Sequence, residues 1–234
     1  MSFRNSVTIV ASPRPRVGKT LIARLLTDFH RYEARDVAAF DLNGGDNTLA
    51  SYLPGQAGTA SVVDVKGQMA LFDRLIAADA TYKVVDLGRD ALEAFFAVAE
   101  KIGFFEEAHK RAIAPAILYV STPDATSVEA FRALRRHFPQ ALLAPVHNEI
   151  FGPAQHRGKY ELTGGAALAR LPALAPALRK YVETPPFSFA DTTAMPPEAQ
   201  EELQHWLRRA YREFRELDLR ILLADLQSAI RLES

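Results

Sequence analysis

An apolar, β-branched segment near the start of the chain runs into a short loop and then into a helical pattern. It reads VTIVASPRPRVGKTLIARLL from Val7 to Leu26, and its loop ends in Gly18-Lys19-Thr20. In a strand, loop and helix of this kind, glycine allows close backbone approach to a phosphate, lysine reaches the terminal phosphates and the hydroxyl binds Mg²⁺. The exposed N–H groups at the helix start also favour an anion. The segment therefore predicts a phosphate-binding loop in an α/β fold; the alternative is a strand-turn-helix with a solvated lysine.

Two prolines make this loop unusual. Pro13 stands where the common pattern G-x-x-x-x-G-K-[ST] has its first glycine, and Pro15 stands where another glycine is expected. Proline has no backbone N–H, so two phosphate donors are missing. Arg14 and Arg16 compensate in charge, because guanidinium groups bind phosphate in bidentate fashion. The predicted nucleotide-contacting residues of the loop and helix start are Arg16, Val17, Gly18, Lys19, Thr20 and Leu21.

Composition restricts the class of protein. The 234 residues, 48% of them hydrophobic, suffice for one large domain with a sizeable core. The 28 basic and 28 acidic residues balance, so net charge does not support non-specific DNA binding. The chain has no cysteine, which excludes disulfides and thiolate zinc sites. No signal-peptide pattern and no apolar run of ~20 residues is present, so we expect a cytoplasmic protein without a membrane span.

Short apolar runs alternate with helical patterns over most of the chain. The predicted strands are Val7–Ala11, Val37–Asp41, Lys83–Leu87, Ala116–Val120 and Ala141–Val146. The predicted helices are Lys19–Tyr32, Gln68–Ala78, Ala91–Glu107 and Ser127–His137. This alternation is typical of a parallel sheet covered on both faces, with ligands at the carboxyl ends of the strands. We therefore expect a doubly wound, mostly parallel α/β domain over residues 1–185, with a long C-terminal helix after it.

The C-terminal part, residues 186–234, is predicted to be a connector and a helical extension. Residues 151–165 hold four glycines and predict an irregular loop, residues 184–197 hold four prolines, and Glu198–Leu232 is helical in pattern. Its apolar stripe recurs at alternating spacings of four and three: Leu203, Leu207, Ala210, Phe214, Leu217, Ile221 and Ala224. The stripe favours either packing on its own domain or a dimer or partner contact. Six arginines against eight acidic residues disfavour a membrane-surface helix.

Polar residues follow the later predicted strands. Asp41 and Asn43 end the second strand before Gly44 and Gly45, and Asp86 ends the third. A carboxylate beside a phosphate loop reaches Mg²⁺, its waters or the attacking water, although Asp, Asn and Gly also favour plain turns.

Two more polar positions follow the fourth and fifth strands. Asp124 favours a turn, and a Ser or Thr before Val128 favours a helix cap. Asn148 has an amide that matches the donor and acceptor pattern of adenine, and a turn-forming asparagine is the alternative.

The order of these motifs resembles that of the ParA/MinD family of P-loop ATPases, which position plasmids, chromosomes, division sites or other cargo. The segment RPRVGKT from Arg14 to Thr20 lines up with the family's deviant loop K-G-G-x-G-K-[ST]. Asp41-Leu42-Asn43 lines up with its D-x-D motif and Asp86 with its metal-site Asp. Asn148 falls where the family has an adenine-contacting Asn. The resemblance covers about residues 5–185 and implies ATP and Mg²⁺ as cofactors, an ATP-dependent homodimer and a protein partner.

Three departures from the family pattern involve four positions. The signature lysine, which contacts phosphate across the dimer, is Arg14; two loop glycines are Pro15 and Arg16. The second acidic residue of D-x-D is Asn43, which orients water but cannot act as a carboxylate base. The catalytic residues implied by the resemblance are Lys19, Arg14, Asp41 and Asn43. The implied metal ligands are Thr20, Asp41 and Asp86.

Three hypotheses of different classes follow. The first is an ATP-binding, dimerising switch with weak ATPase activity that positions DNA, division machinery or other cargo. The second is a degenerate, non-hydrolysing scaffold of the same family whose C-terminal helix contacts a partner. The third is a P-loop small-molecule kinase or ligase, which would release a phosphorylated product.

Overall fold

The computed structural model describes residues 5–44, 48–153, 157–160 and 169–232, with the side chains of the last helix described up to Leu223. Within these ranges the strands are β1 Asn5–Ala11, β2 Val37–Leu42, β3 Ala57–Thr59, β4 Tyr82–Leu87, β5 Ile113–Val120, β6 Leu142–Asn148 and β7 Ala169–Leu171. The helices are α1 Lys19–Tyr32, α2 Leu49–Tyr52, α3 Val65–Leu75, α4 Leu92–Lys101, α5 Phe104–Lys110, α6 Ala125–His137, α7 Pro176–Val182 and α8 Pro197–Leu232. Two 3₁₀ turns cover Glu149–Phe151 and Arg157–Tyr160.

The described strands form one parallel sheet in the order β3-β2-β4-β1-β5-β6-β7. From β1 the chain crosses to one side of the sheet for β2, β3 and β4, and then to the other side for β5, β6 and β7. The order therefore reverses at β1, and a crevice opens beyond the carboxyl end of that strand. The predicted doubly wound α/β fold with a long C-terminal helix is confirmed.

Two hydrophobic clusters cover the two faces of the sheet. Neighbouring residues Ile9 and Val10 of β1 belong to opposite clusters, because successive side chains of a strand point to opposite faces. One cluster receives side chains from α1, α2, α7 and α8, among them Phe29, Tyr52, Leu178 and Trp206. The other receives side chains from α3, α4, α5 and α6, among them Phe72, Phe95, Phe104 and Phe131. The predicted phosphate loop, residues 12–18, leaves β1 between these two layers.

The predicted helix Ala91–Glu107 is wrong in one respect, because it is two helices. The chain breaks at Gly103, whose φ of 63° lies in the left-handed region and ends α4 before α5 begins. Both helices bury their apolar residues in the same cluster, which explains the continuous pattern. The predicted helix Gln68–Ala78 is displaced as well: α3 begins at Val65, because the carboxylate of Asp64 caps it by accepting from the N–H of Gly67 at 2.8 Å.

Two short strands were not predicted from the sequence. β3 and β7 have three residues each and lie at the ends of the described sheet, paired with β2 and β6. A segment of this length has no detectable period of its own, so only its pairing partner makes it a strand.

The long helix α8 packs on the domain. The apolar stripe from Leu203 to Ile221 is buried in the cluster that also holds α1, and the side chain of Ala224 lies outside the described residues. The indole N–H of Trp206 donates to the carbonyl of Pro172 at 2.9 Å, and Arg35 pairs with Asp218 at 2.7 Å. Of the two alternatives for this stripe, the structure has packing on its own domain.

Parts of two predicted loops lie outside the described residues. They are residues 45–47 of the glycine-containing loop after β2, and residues 154–156 and 161–165 of the predicted irregular loop. Among the helices of the described ranges, none has the length and apolarity needed to cross a bilayer.

Candidate functional site

The start of α1 is packed against the end of β6. Gly18 adopts φ 96°, and a Cβ on it would lie 2.6 Å from Nδ2 of Asn148, so only glycine fits. The Asn148 amide donates to the carbonyl of Val17 at 3.1 Å, and its oxygen accepts from the N–H of Ile150 at 3.2 Å. Asn148 thus ties the loop to β6, and its contact with adenine stays a prediction.

The predicted phosphate loop is held by internal contacts. The buried Lys19 ammonium donates to the carbonyl of Arg14 at 2.8 Å, so the lysine spans the loop. Burial lowers the pKa of Lys19. The N–H of Arg14 donates to the Ser12 hydroxyl at 3.3 Å, whereas Pro13 and Pro15 have no N–H to offer.

A buried carboxylate lies beside the helix start. Asp86 at the end of β4 is fully buried, and its Oδ2 accepts from the Thr20 hydroxyl at 2.7 Å. Its Oδ1 has no hydrogen-bond partner among the residues that the structure describes. Burial raises the pKa of Asp86 to about 7, although the Thr20 hydrogen bond opposes this rise. A buried acceptor without a partner is suited to a cation or to a water bound to one.

A second carboxylate stands next to it. Asp41 pairs with Asp86 in the register between β2 and β4, which brings the two side chains to the same end of the sheet. The Asn43 amide lies between them and donates to Asp41 Oδ1 at 3.0 Å and to Asp86 Oδ2 at 2.9 Å. Asp41 Oδ2 accepts from the N–H of Ala50 at 2.7 Å and so ties the end of β2 to the first turn of α2. A third carboxylate at position 43 would add repulsion where the neutral amide adds two hydrogen bonds.

The side chain of Arg14 is hydrogen-bonded to Asp124, whereas that of Lys19 is bonded within the loop. Its Nε donates to Asp124 Oδ1 at 2.9 Å, and Asp124 also caps α6 by accepting from the N–H of Ser127 at 3.1 Å. The Arg14 guanidinium holds the pKa of Asp124 well below its ordinary value. The expected capping by a Ser or Thr is thus wrong, since Asp124 is the cap. The pair joins the phosphate loop to the end of β5.

A cleft of about 850 Å³ opens at this end of the sheet. Asn43 from the end of β2 lines it, as do five of the six predicted nucleotide-contacting residues, namely Arg16, Gly18, Lys19, Thr20 and Leu21. Sequence reasoning missed other lining residues, notably Tyr52, Arg89 and Glu183. For Arg89 the sequence did offer a signal, because it follows the strand-end residue Asp86 by three positions. Glu183 comes from after α7 and has no local signal.

A second pocket of about 560 Å³ lies on the other side of the loop. It is lined by Val17, by the chain after β5 and by the end of β6, and Phe151 and Pro153 contribute apolar surface to it. Because the loop separates the two pockets, a ligand that follows the loop can reach both.

The residues present fit Mg²⁺. Oxygen ligands from one hydroxyl and one or two carboxylates, completed by phosphates and waters, are the usual magnesium environment. Thr20, Asp86 and Asp41 supply such oxygens, and the partnerless Oδ1 of Asp86 is the observation that favours a cation there. Within the described ranges, no three His, Cys, Asp or Glu side chains converge as they would in a site built by protein alone.

Comparison with known proteins gives the fold. No protein-family model and no curated protein matches the sequence. Solved structures do match: MinD cell division protein of Aquifex aeolicus has a TM-score of 0.54 at 15% identity, over 87% of this chain and 95% of that one. A chain of the MinC:MinD cell division protein complex of Aquifex aeolicus has a TM-score of 0.54 at 16% identity, over 87% and 94%. A ParA family ATPase of Chlorobium tepidum TLS has 0.53 at 13% identity, over 87% and 98%. The chain therefore has the doubly wound fold of the MinD and ParA ATPases.

Proposed function

We propose that this protein binds ATP with Mg²⁺ and acts as a ParA/MinD-like switch that dimerises around the nucleotide. The observation that carries the proposal is the contact between Thr20 and Asp86 at 2.7 Å: Thr20 lines the cleft together with Lys19, and Asp86 is buried behind it. A carboxylate at a strand end, a lysine in the loop and a hydroxyl at the helix start are the three groups that binding of a nucleoside triphosphate with Mg²⁺ requires.

The proposed role of each residue follows from the chemistry of its side chain. Lys19 exchanges the Arg14 carbonyl for phosphate oxygens, and Gly18 lets the helix start approach them. Thr20 and Asp86, with Asp41 next to them, hold the metal side of the cleft. When bound, Mg²⁺ neutralises charge on the terminal phosphates.

The remaining predicted residues are assigned to binding of the adenine base and to the contact between the two subunits of the dimer. The 560 Å³ pocket next to Val17 and Asn148 offers apolar surface for an adenine ring. Arg14 is the group that would reach the phosphates of the second subunit, and it must then leave Asp124. The solved MinC:MinD complex supports a protein partner for this chain as well. We place the switch in the cytoplasm and assign it to the positioning of a cargo.

Hydrolysis is expected to be slow. Asn43 stands where a second carboxylate would help to position the attacking water, and its amide donates to the carboxylates of Asp41 and Asp86 and to the backbone carbonyl of Asp86. ATP binding without rapid hydrolysis would give a long-lived dimer state.

Calorimetry with ATP·Mg²⁺ and ADP·Mg²⁺, combined with light scattering on the same samples, tests the proposal. We expect micromolar ATP binding and a doubled mass for the wild type, and loss of both in Lys19→Ala. Lys66→Ala, which removes an exposed lysine from α3, is the matched control and should behave as wild type. No binding of either nucleotide at millimolar concentration would overturn the proposal.

A degenerate scaffold is the second candidate, and the loop itself favours it. Pro13 and Pro15 lack N–H donors, and the Lys19 ammonium is already bonded within the loop. The scaffold predicts no nucleotide binding but an unchanged fold, which separates it from the switch in the same experiment.

A further inference from the structure

Arg89 is a cationic residue of the cleft that the motifs do not assign. It follows the end of β4 three residues after Asp86, and it lines the cleft together with Lys19 and Thr20. Burial is the main cause of the lowered pKa of Lys19, and the positive charge of Arg89 acts in the same direction. The two cations therefore share one electrostatic environment.

The backbone before Arg89 is held closely against the end of β2. A Cβ on Gly88 would lie 2.7 Å from the carbonyl of Leu42 and 2.9 Å from Oδ1 of Asn43. This close approach requires glycine and fixes where the chain leaves β4. Arg89 therefore starts from a defined point on the metal side of the cleft, opposite the phosphate loop.

The present partner of Arg89 is a weak one. Its guanidinium pairs with the carboxylate of the next residue, Asp90, at 3.0 Å, and the two side chains are 56% and 90% exposed. An exposed ion pair of this kind contributes little to stability. A phosphate in the cleft can replace Asp90, because guanidinium binds phosphate through two parallel hydrogen bonds.

We propose that Arg89 binds the terminal phosphate of the nucleoside triphosphate and makes the protein prefer a triphosphate over a diphosphate. This inference rests on the proposed function. Thr20 and Asp86 would hold Mg²⁺, which would offset the charge of the terminal phosphates, and Arg89 follows the strand of Asp86 just beyond this contact. A cation on this side also makes up for the donors that Pro13 and Pro15 do not supply on the loop side.

The test compares ATP·Mg²⁺ and ADP·Mg²⁺ binding by calorimetry in the wild type, Arg89→Ala and Arg89→Lys. Arg89→Ala should weaken ATP binding by about tenfold, the effect of losing hydrogen bonds to a charged group, and should leave ADP binding within about twofold. Arg89→Lys should recover part of the loss, since it keeps the charge without the bidentate geometry. Arg132→Ala removes the same charge from an exposed position of α6 and should change neither affinity.

The outcomes of these binding measurements distinguish failure of this inference from failure of the proposed function. An unchanged ATP affinity in Arg89→Ala, or equal weakening for ATP and ADP, would overturn it and leave the proposed function intact. If wild type binds neither nucleotide, the proposed function fails and this inference fails with it. Asp90→Asn, which removes the competing carboxylate, should tighten ATP binding, and weaker binding would count against the role of Arg89.

Discussion

Arg16 occupies a backbone conformation that suits glycine. Its φ is 56°, in the left-handed region, although its side chain is exposed and carries no packing reason to be there. The loop therefore keeps a glycine-like turn where the sequence has arginine. The charge of Arg16 beside the cleft is a reason for arginine at this strained position.

Replacing Arg16 by glycine is expected to stabilise the protein by about 0.5–1 kcal/mol. Left-handed strain of about 1–2 kcal/mol is relieved, and the additional chain entropy of glycine offsets about 0.5–1 kcal/mol of it. Urea denaturation without nucleotide measures the change. Arg132→Gly, within helix α6, is the control and should destabilise by about 1 kcal/mol; similar destabilisation in both variants would contradict the argument.

At the scale of elements, one glycine divides a continuous apolar pattern into two helices. Gly103 adopts φ 63° between α4 and α5, and the bend lets both helices follow the curvature of one hydrophobic cluster. Periodicity alone cannot show such a break, since the apolar residues on both sides face the same way. A glycine inside a helical pattern was the available signal.

Gly103→Ala is expected to destabilise the protein by about 0.5–1 kcal/mol, because left-handed strain of about 1–2 kcal/mol on alanine is partly offset by the additional chain entropy of glycine, about 0.5–1 kcal/mol. Thermal or urea denaturation checks it. Gly58→Ala is the matched control: this glycine lies in the exposed strand β3 with nothing within 4 Å of the added Cβ. An equal loss in both variants would mean that helix division does not depend on Gly103.

At the scale of the whole molecule, α8 completes one face of the sheet. Its stripe lies in the same hydrophobic cluster as α1 and α7, and ion pairs such as Arg35–Asp218 join it to the chain after α1. The predicted division into residues 1–185 and 186–234 stays a prediction, but this packing argues for one cooperative unit.

Trp206 makes that cooperativity measurable. It is the single tryptophan of the chain, and it lies on the buried face of α8 with its indole bonded to Pro172. We expect its fluorescence transition in urea to coincide with the loss of far-ultraviolet circular dichroism, as in two-state unfolding. A fluorescence transition at clearly lower urea would instead show that the extension unfolds separately.

The proximity of the candidate site residues was predictable where motifs are local. Gly18, Lys19 and Thr20 are adjacent, and a strand-end carboxylate such as Asp86 must lie near them in a parallel sheet. Partners that depend on distant pairing were not predictable. Asp124 meets Arg14 across 110 residues, and Glu183 reaches the cleft from after α7.

By itself the sequence determined the alternation of strands and helices, the start of α1 and the apolar stripe of α8, since each depends on neighbouring residues or on a repeated period. Only the tertiary structure decided that β3 and β7 are strands, that Asn148 holds the phosphate loop and that α8 covers its own domain. The physical reason is that these features form through contacts between distant segments. They are stabilised by burial and strand pairing between those segments, and a local sequence pattern does not contain that information.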